Sequence, residues 1–239
     1  MTTSTVLHFG GARLILGSGV LAALALTGCS DDPVSVDPIA TISKTSSTDN
    51  LQVDAGSVVP RSPEVTLLRA SGAKAVGETV TFTIEGGGGV LDGAVVVSDS
   101  RGTARPTTWT LGQVAGQNFV KATANGLEVT FTANGRAGPA ANVSAALGNE
   151  QVAQVNSEVG IPPEVLVSDQ FGNGVQGEVV DWRVLSGGGR VIGIGSSFSE
   201  PDGLAPVGGW QLGPTPGVNT LEAEVQGLPP VQFSATAIL

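Results

Sequence analysis

At 239 residues, with 35 Gly, 14 Pro and abundant Val and Thr, the chain has the composition of short strands joined by tight turns, and 41% hydrophobic residues suffice for a packed core. A formal charge of −10 excludes nucleic acid as a partner, because phosphate binding rests on clustered Lys and Arg and no such cluster occurs here. The single Cys excludes an intrachain disulfide.

Residues 1–13 hold one Arg and no acid, and residues 14–26 (LILGSGVLAALAL) form an apolar run. A bilayer core about 30 Å thick takes roughly 20 helical residues. A run this short therefore predicts the apolar region of a cleaved signal peptide rather than a membrane span. It ends in Leu26-Thr27-Gly28-Cys29, which resembles the lipobox of bacterial lipoproteins. The resemblance implies cleavage between Gly28 and Cys29, a thioether-linked diacylglycerol on Cys29 and N-acylation of the new terminus. Two or more acyl chains anchor a protein stably, since each buried methylene contributes about 0.8 kcal/mol. Lipoproteins kept in the inner membrane often carry Asp after the Cys, so Ser30 points to the outer membrane. Asp31-Asp32 resembles the acidic stretch that marks surface export in some phyla. Residues 29–39, polar and Pro-containing, read as a short extended tether.

The rest of the chain repeats itself. Pro63-Glu64-Val65 recurs as Pro163-Glu164-Val165, Val80-Thr81-Phe82 as Val180-Asp181-Trp182, and Gly87-Gly88-Gly89 as Gly187-Gly188-Gly189. Trp109-Thr110-Leu111-Gly112 recurs as Trp210-Gln211-Leu212-Gly213, and Phe131-Thr132-Ala133 as Phe233-Ser234-Ala235. The offset drifts by single residues at turns, as inserted loop residues produce, so these are two copies of one domain. A unit of about 100 residues with alternating short strands predicts an all-β fold of two tandem immunoglobulin-like β-sandwiches. The expected organisation is a signal peptide over 1–28, lipidated Cys and tether over 29–39, and sandwiches over 40–137 and 138–239.

In the second copy the predicted strands run over 142–147, 163–169, 178–185, 204–212, 218–225 and 231–238. Within 178–185, Val180, Trp182 and Val184 share one face and Asp181 and Arg183 the other, so the first face is the buried one. Trp109 with Leu111, and Trp210 with Leu212, are i, i+2 pairs on one face, each followed by a Gly suited to a turn at positive φ. All three Trp are expected in the cores, which leaves no aromatic platform for a sugar ring, the chain having no Tyr.

The stretch from Asp169 to Trp182 (DQFGNGVQGEVVDW) resembles a segment of the bacterial Ig-like group 1 domains found in invasin- and intimin-type adhesins, and the Trp-x-Leu-Gly and Val-x-Phe-x-Ala segments are similar to those of Ig-like repeats in surface lipoproteins. The resemblance spans roughly residues 40–239 and implies fold rather than function. The first copy departs from it, with Arg69 where Asp169 stands and Ala73 where Asn173 stands. Asp169 and Asn173 are read as capping their own turn. Calcium would need about six oxygen ligands where two are in sequence reach, so no metal is expected.

The only His, His8, falls within the signal peptide, which closes the Ser–His–Asp and Cys–His routes to catalysis and the His/Cys zinc sites. Acids such as Glu78, Glu178, Asp181 and Glu222 are expected as solvated charge on turns or outward strand positions. The glycine runs at 86–89 and 187–189 lack the Lys-Ser/Thr of a phosphate loop and read as hairpin turns. No cofactor and no enzyme activity are expected. The chain reads as a lipid-anchored structural or adhesive module held to the membrane through acyl chains on Cys29, with a protein or glycan partner left open. The alternative is a carbohydrate- or protein-binding accessory lipoprotein of an envelope complex.

Overall fold

The computed structural model describes residues 36–239. The signal-peptide reading, the cleavage at Gly28, Cys29 and the start of the tether lie outside the described residues. The first sandwich is built from β1 (Ile39–Lys44), β2 (Leu51–Asp54), β3 (Val65–Arg69), β4 (Thr79–Gly86), β5 (Val90–Asp92), β6 (Val95–Val97), β7 (Thr103–Ala104), β8 (Thr108–Thr110), β9 (Gly116–Ala124) and β10 (Leu127–Arg136). The second repeats it with β11 (Asn142–Leu147), β12 (Gln151–Gln154), β13 (Glu164–Ser168), β14 (Val179–Ser186), β15 (Arg190–Val191), β16 (Ser196–Phe198), β17 (Leu204–Pro206), β18 (Trp210–Gln211), β19 (Gly217–Val225) and β20 (Val231–Ile238).

In each copy a three-stranded sheet (β1-β3-β7, β11-β13-β17) faces a five-stranded one (β2-β10-β9-β4-β6, β12-β20-β19-β14-β16). Pairing is antiparallel except where β2 and β12 run parallel to β10 and β20. The first strand thus splits and changes sheets, as in immunoglobulin-like domains. The switch is made at Asn50 and Glu150, both with positive φ. Beside them, Asp49 Oδ1 accepts from Thr132 N–H and Asn149 Oδ1 from Ser234 N–H, which occupies donors on the receiving strand.

The alternation in sequence becomes two separate cores. Trp109 and Trp210 are fully buried, and Trp182 packs on Phe233 with ring centroids 5.7 Å apart. All three Trp therefore lie in the interior. Each core also holds a fully buried Asn. Asn118 Oδ1 accepts from Gly112 N–H and its Nδ2 donates to Gly116 O; Asn219 does the same with Gly213 and Gly217. The pair recurs at the repeat offset, a signal the strand pattern alone does not single out.

Several expectations need correction. The predicted strand over 204–212 breaks into β17 and β18, because Pro206 offers no N–H and Gly208-Gly209 carry the chain across to pair with β15 instead. The short strands β12, β15 and β16 carry too few residues to set up a period. The glycine runs are not hairpin turns: β5 pairs with β8 rather than β4, so they form a corner where the chain leaves the five-stranded sheet. Gly112 and Gly213 are not at positive φ. They are required by closeness, since a Cβ there would lie 1.7 Å from Gly87 O and 1.8 Å from Gly187 O. Glu222 does point outward, yet it is only 4% exposed, because Arg183 and the Gln232 amide close over it and hold its carboxyl below the usual range.

Candidate functional site at the junction of the two sandwiches

Residues 137–141 join β10 to β11, and the polar turn at residues 169–173 between β13 and β14 meets them. Asp169 is the hub, 1% exposed. Its Oδ1 accepts from Phe171 N–H at 2.8 Å and Asn173 N–H at 2.9 Å, closing the turn as the sequence suggests. Its Oδ2 accepts from Asn173 Nδ2 at 2.9 Å and from the linker amide of Gly138 at 3.0 Å.

Asn173 then reaches into the first sandwich. Its Nδ2 donates to Gln113 O at 2.8 Å and its Oδ1 accepts from Ala115 N–H at 2.7 Å. Both amide ends are thereby bonded to backbone, which fixes the direction of the side chain. Beside it the Phe171 ring lies over Gly56, where a Cβ would stand 2.7 Å from the ring carbons. The turn is a plug, and Gly56, Gln113 and Ala115 form its socket. The sequence identified the plug residues as turn-forming but gave no sign of the socket. The copy-to-copy change of Ser71 to Phe171 and Ala73 to Asn173 was the available signal.

The equivalent turn of the first sandwich works differently. Arg69 donates through Nη1 to Asp37 O at 2.8 Å and through Nη2 to Glu78 Oε1 at 2.6 Å. The Asp37 carboxylate accepts from the hydroxyl and the amide of Ser71. Both turns grip the segment leading into their own sandwich, one with a guanidinium and one with a carboxylate. Ala73 has no side chain to extend beyond it.

Burial alone would raise the Asp169 carboxyl, but the Asn173 amide and the N–H groups of Gly138, Asn173 and Phe171 outweigh it and hold the group below its ordinary value. A depressed carboxylate contributes stability that is present above the unfolded value near 3.9 and lost as pH falls through the folded one. The junction is therefore expected to keep one geometry from pH 7 to about pH 5 and to loosen only below about pH 4. Asn173→Ala removes three side-chain bonds of about 0.5–1.5 kcal/mol each. It should leave both sandwiches folded while broadening the distance between spin labels placed one on each. An unchanged distance distribution would show that the amide does not hold the joint.

Among the described residues no group of three or more His, Cys, Asp or Glu is placed to hold a metal ion. Glu78 is paired with Arg69, and Glu222 is tied to Arg183.

Fold and junction together define a protein of two tandem immunoglobulin-like β-sandwiches joined by a polar clamp. Solved structures similar to it include the adhesin InvE of Yersinia pseudotuberculosis (16% identity, TM-score 0.38, 85% of this chain and 61% of that one). InvD of the same organism matches at 18% identity and TM-score 0.49, over 78% of this chain and 54% of that one. FdeC, an adhesin of Escherichia coli, matches at 19% identity and TM-score 0.44, over 83% and 66%. At these identities the likeness concerns the fold alone. No family model and no curated protein matches the chain.

Proposed function

We propose that this chain is a lipid-anchored module of the bacterial cell envelope, held through acyl chains on Cys29, probing its surroundings with two clamped sandwiches as a structural or adhesive surface element. The observation that carries the reading is the junction: a buried carboxylate and an amide bonded at both ends suit a device that must keep a distal domain at a set distance from its anchor. Outer-membrane attachment follows from Ser30 in this reading, and the partner is a protein or a glycan. Burial of all three Trp weakens the alternative of a carbohydrate-binding accessory lipoprotein, which would need an exposed ring to stack on a sugar.

Two measurements test it. Cys29→Ser should shift the protein from the membrane fraction to the soluble fraction, and retention in the membrane would refute acyl anchoring. Protease added to whole cells should remove the sandwiches from the anchored wild type. Full protection would refute surface exposure.

A further inference from the structure

The two copies share a fold but not a charge. Residues 37–136 carry eight basic and nine acidic side chains, and residues 142–239 carry two and ten. The contrast is sharpest on one side, along the free edges of β7 and β17, the last strands of their three-stranded sheets. In the first sandwich two adjoining grooves on this side share Glu64 and Arg105, and Arg61 and Arg101 line one each. All three Arg are exposed. Arg101 pairs with Asp99 at 3.1 Å and Arg105 with Glu64 at 3.9 Å, and Arg61 has no ion-pair partner among the described residues.

At the equivalent positions of the second sandwich every Arg is gone. Ile161 replaces Arg61, Asp202 replaces Arg101 and Pro206 replaces Arg105, while acids remain at Glu164 and Glu200. Glu164 lies opposite Pro206 across β13 and β17. Glu200 and Asp202 sit on the tight turn leading into β17, closed by Glu200 N–H to Leu204 O and Gly203 N–H to Glu200 O. Burial, with the charges of Asp202 and Glu200, raises the Glu164 carboxyl above its ordinary value. None of the three has an ion-pair partner among the described residues. One edge thus carries arginines in excess over acids, and its counterpart carries three uncompensated carboxylates.

We propose that these edges bind one another between two copies of this chain, the Arg61, Arg101 and Arg105 edge of one first sandwich seating the Glu164, Glu200 and Asp202 edge of another copy's second sandwich. The partner is a second copy because each chain carries both signs, arginines along the β7 edge and unpaired carboxylates along the equivalent β17 edge, so two copies offer each other opposite charge. Pro206 in β17 offers no N–H, so the contact is made by side chains rather than by adding a strand. At physiological salt the screening length is about 8 Å, which damps repulsion between whole acidic chains and leaves charges in contact coupled. Exposed ion pairs are individually weak, so the contact forms at high local density, as many copies on one surface or on two facing surfaces supply. This inference rests on the surface-module reading and gives it a partner.

The test uses residues 37–239, which hold both complete cores and so need no membrane. Sedimentation equilibrium at about 1 mM and 0.15 M salt, the range in which weak protein contacts appear, should show mass above the monomer. Association should fade at about 0.5 M salt. A variant carrying R61E, R101E and R105E should remain monomeric, as should one carrying E164K, E200K and D202K, with unchanged melting of both. Their equimolar mixture should associate again, since one then offers acids where the other offers bases. A monomeric wild type at every concentration, or variants that associate as strongly as wild type, would overturn the proposal. Either failure would leave membrane anchoring, read with Cys29→Ser, unaffected.

Discussion

Trp210→Ala is expected to unfold the second sandwich at temperatures where the first stays folded. The ring is fully buried in a core shared with Leu212, Leu221 and Phe233, and truncating a buried Trp costs about 3–5 kcal/mol. Whole domains are stable by only about 5–15 kcal/mol, so most of the margin is at stake. Differential scanning calorimetry on residues 37–239 should show one transition lowered by about 12–40 °C, at roughly 4–8 °C per kcal/mol for a domain of this size. Trp210→Phe is the informative companion. The indole Nε1–H has no hydrogen-bond partner among the described residues, and an unpaired buried donor costs about 1–3 kcal/mol. Phe keeps most of the ring and removes that donor, so it should lose far less than Ala. An unchanged melt for Trp210→Ala would place the ring outside the core and reopen the sugar-platform reading.

Gly213→Ala should cost as much as truncating a core residue, although it adds one methyl. Its Cβ would stand 1.8 Å from Gly187 O and 2.8 Å from Gly187 C, both backbone atoms with no rotamer to yield. The shift needed would also disturb the Gly213 N–H bond to buried Asn219. Gly227→Ala separates crowding from torsion: φ there is +83° and nothing lies within 4 Å. Left-handed backbone costs a residue with a Cβ about 1–2 kcal/mol. Urea unfolding should therefore show a small loss for Gly227→Ala and a loss of several kcal/mol for Gly213→Ala, in the range reserved for core damage. Equal losses would mean that torsion rather than contact fixes both glycines.

Strand 231–238 was readable because a half-buried strand writes its environment into a period of two, with Phe233, Ala235 and Ala237 on the buried face. The strand expected over 204–212 failed because its buried set slips phase from Ala205 and Val207 to Trp210 and Leu212 at Gly208-Gly209, where the chain changes sheet. Gly112 and Gly213 were recognised as necessary for the wrong reason. A turn at positive φ is a local property, whereas contact with Gly87 and Gly187 depends on a segment more than twenty residues away. Asp169 and Asn173 were legible as turn residues for the same local reason. Their grip on Gly138, Gln113 and Ala115 was not, because backbone groups are present in every residue and carry no signature of being chosen.

The socket that receives Asn173 has no counterpart on the second sandwich. Pro216 stands where Ala115 offers its N–H, and Asn156 places a side chain where Gly56 leaves room for the Phe171 ring. In the language of polymers, the plug is already spent on the socket of its own chain, and the second sandwich presents no free receptor for another. The joint therefore closes within one chain, and the second sandwich offers no second seat of this kind to a neighbour.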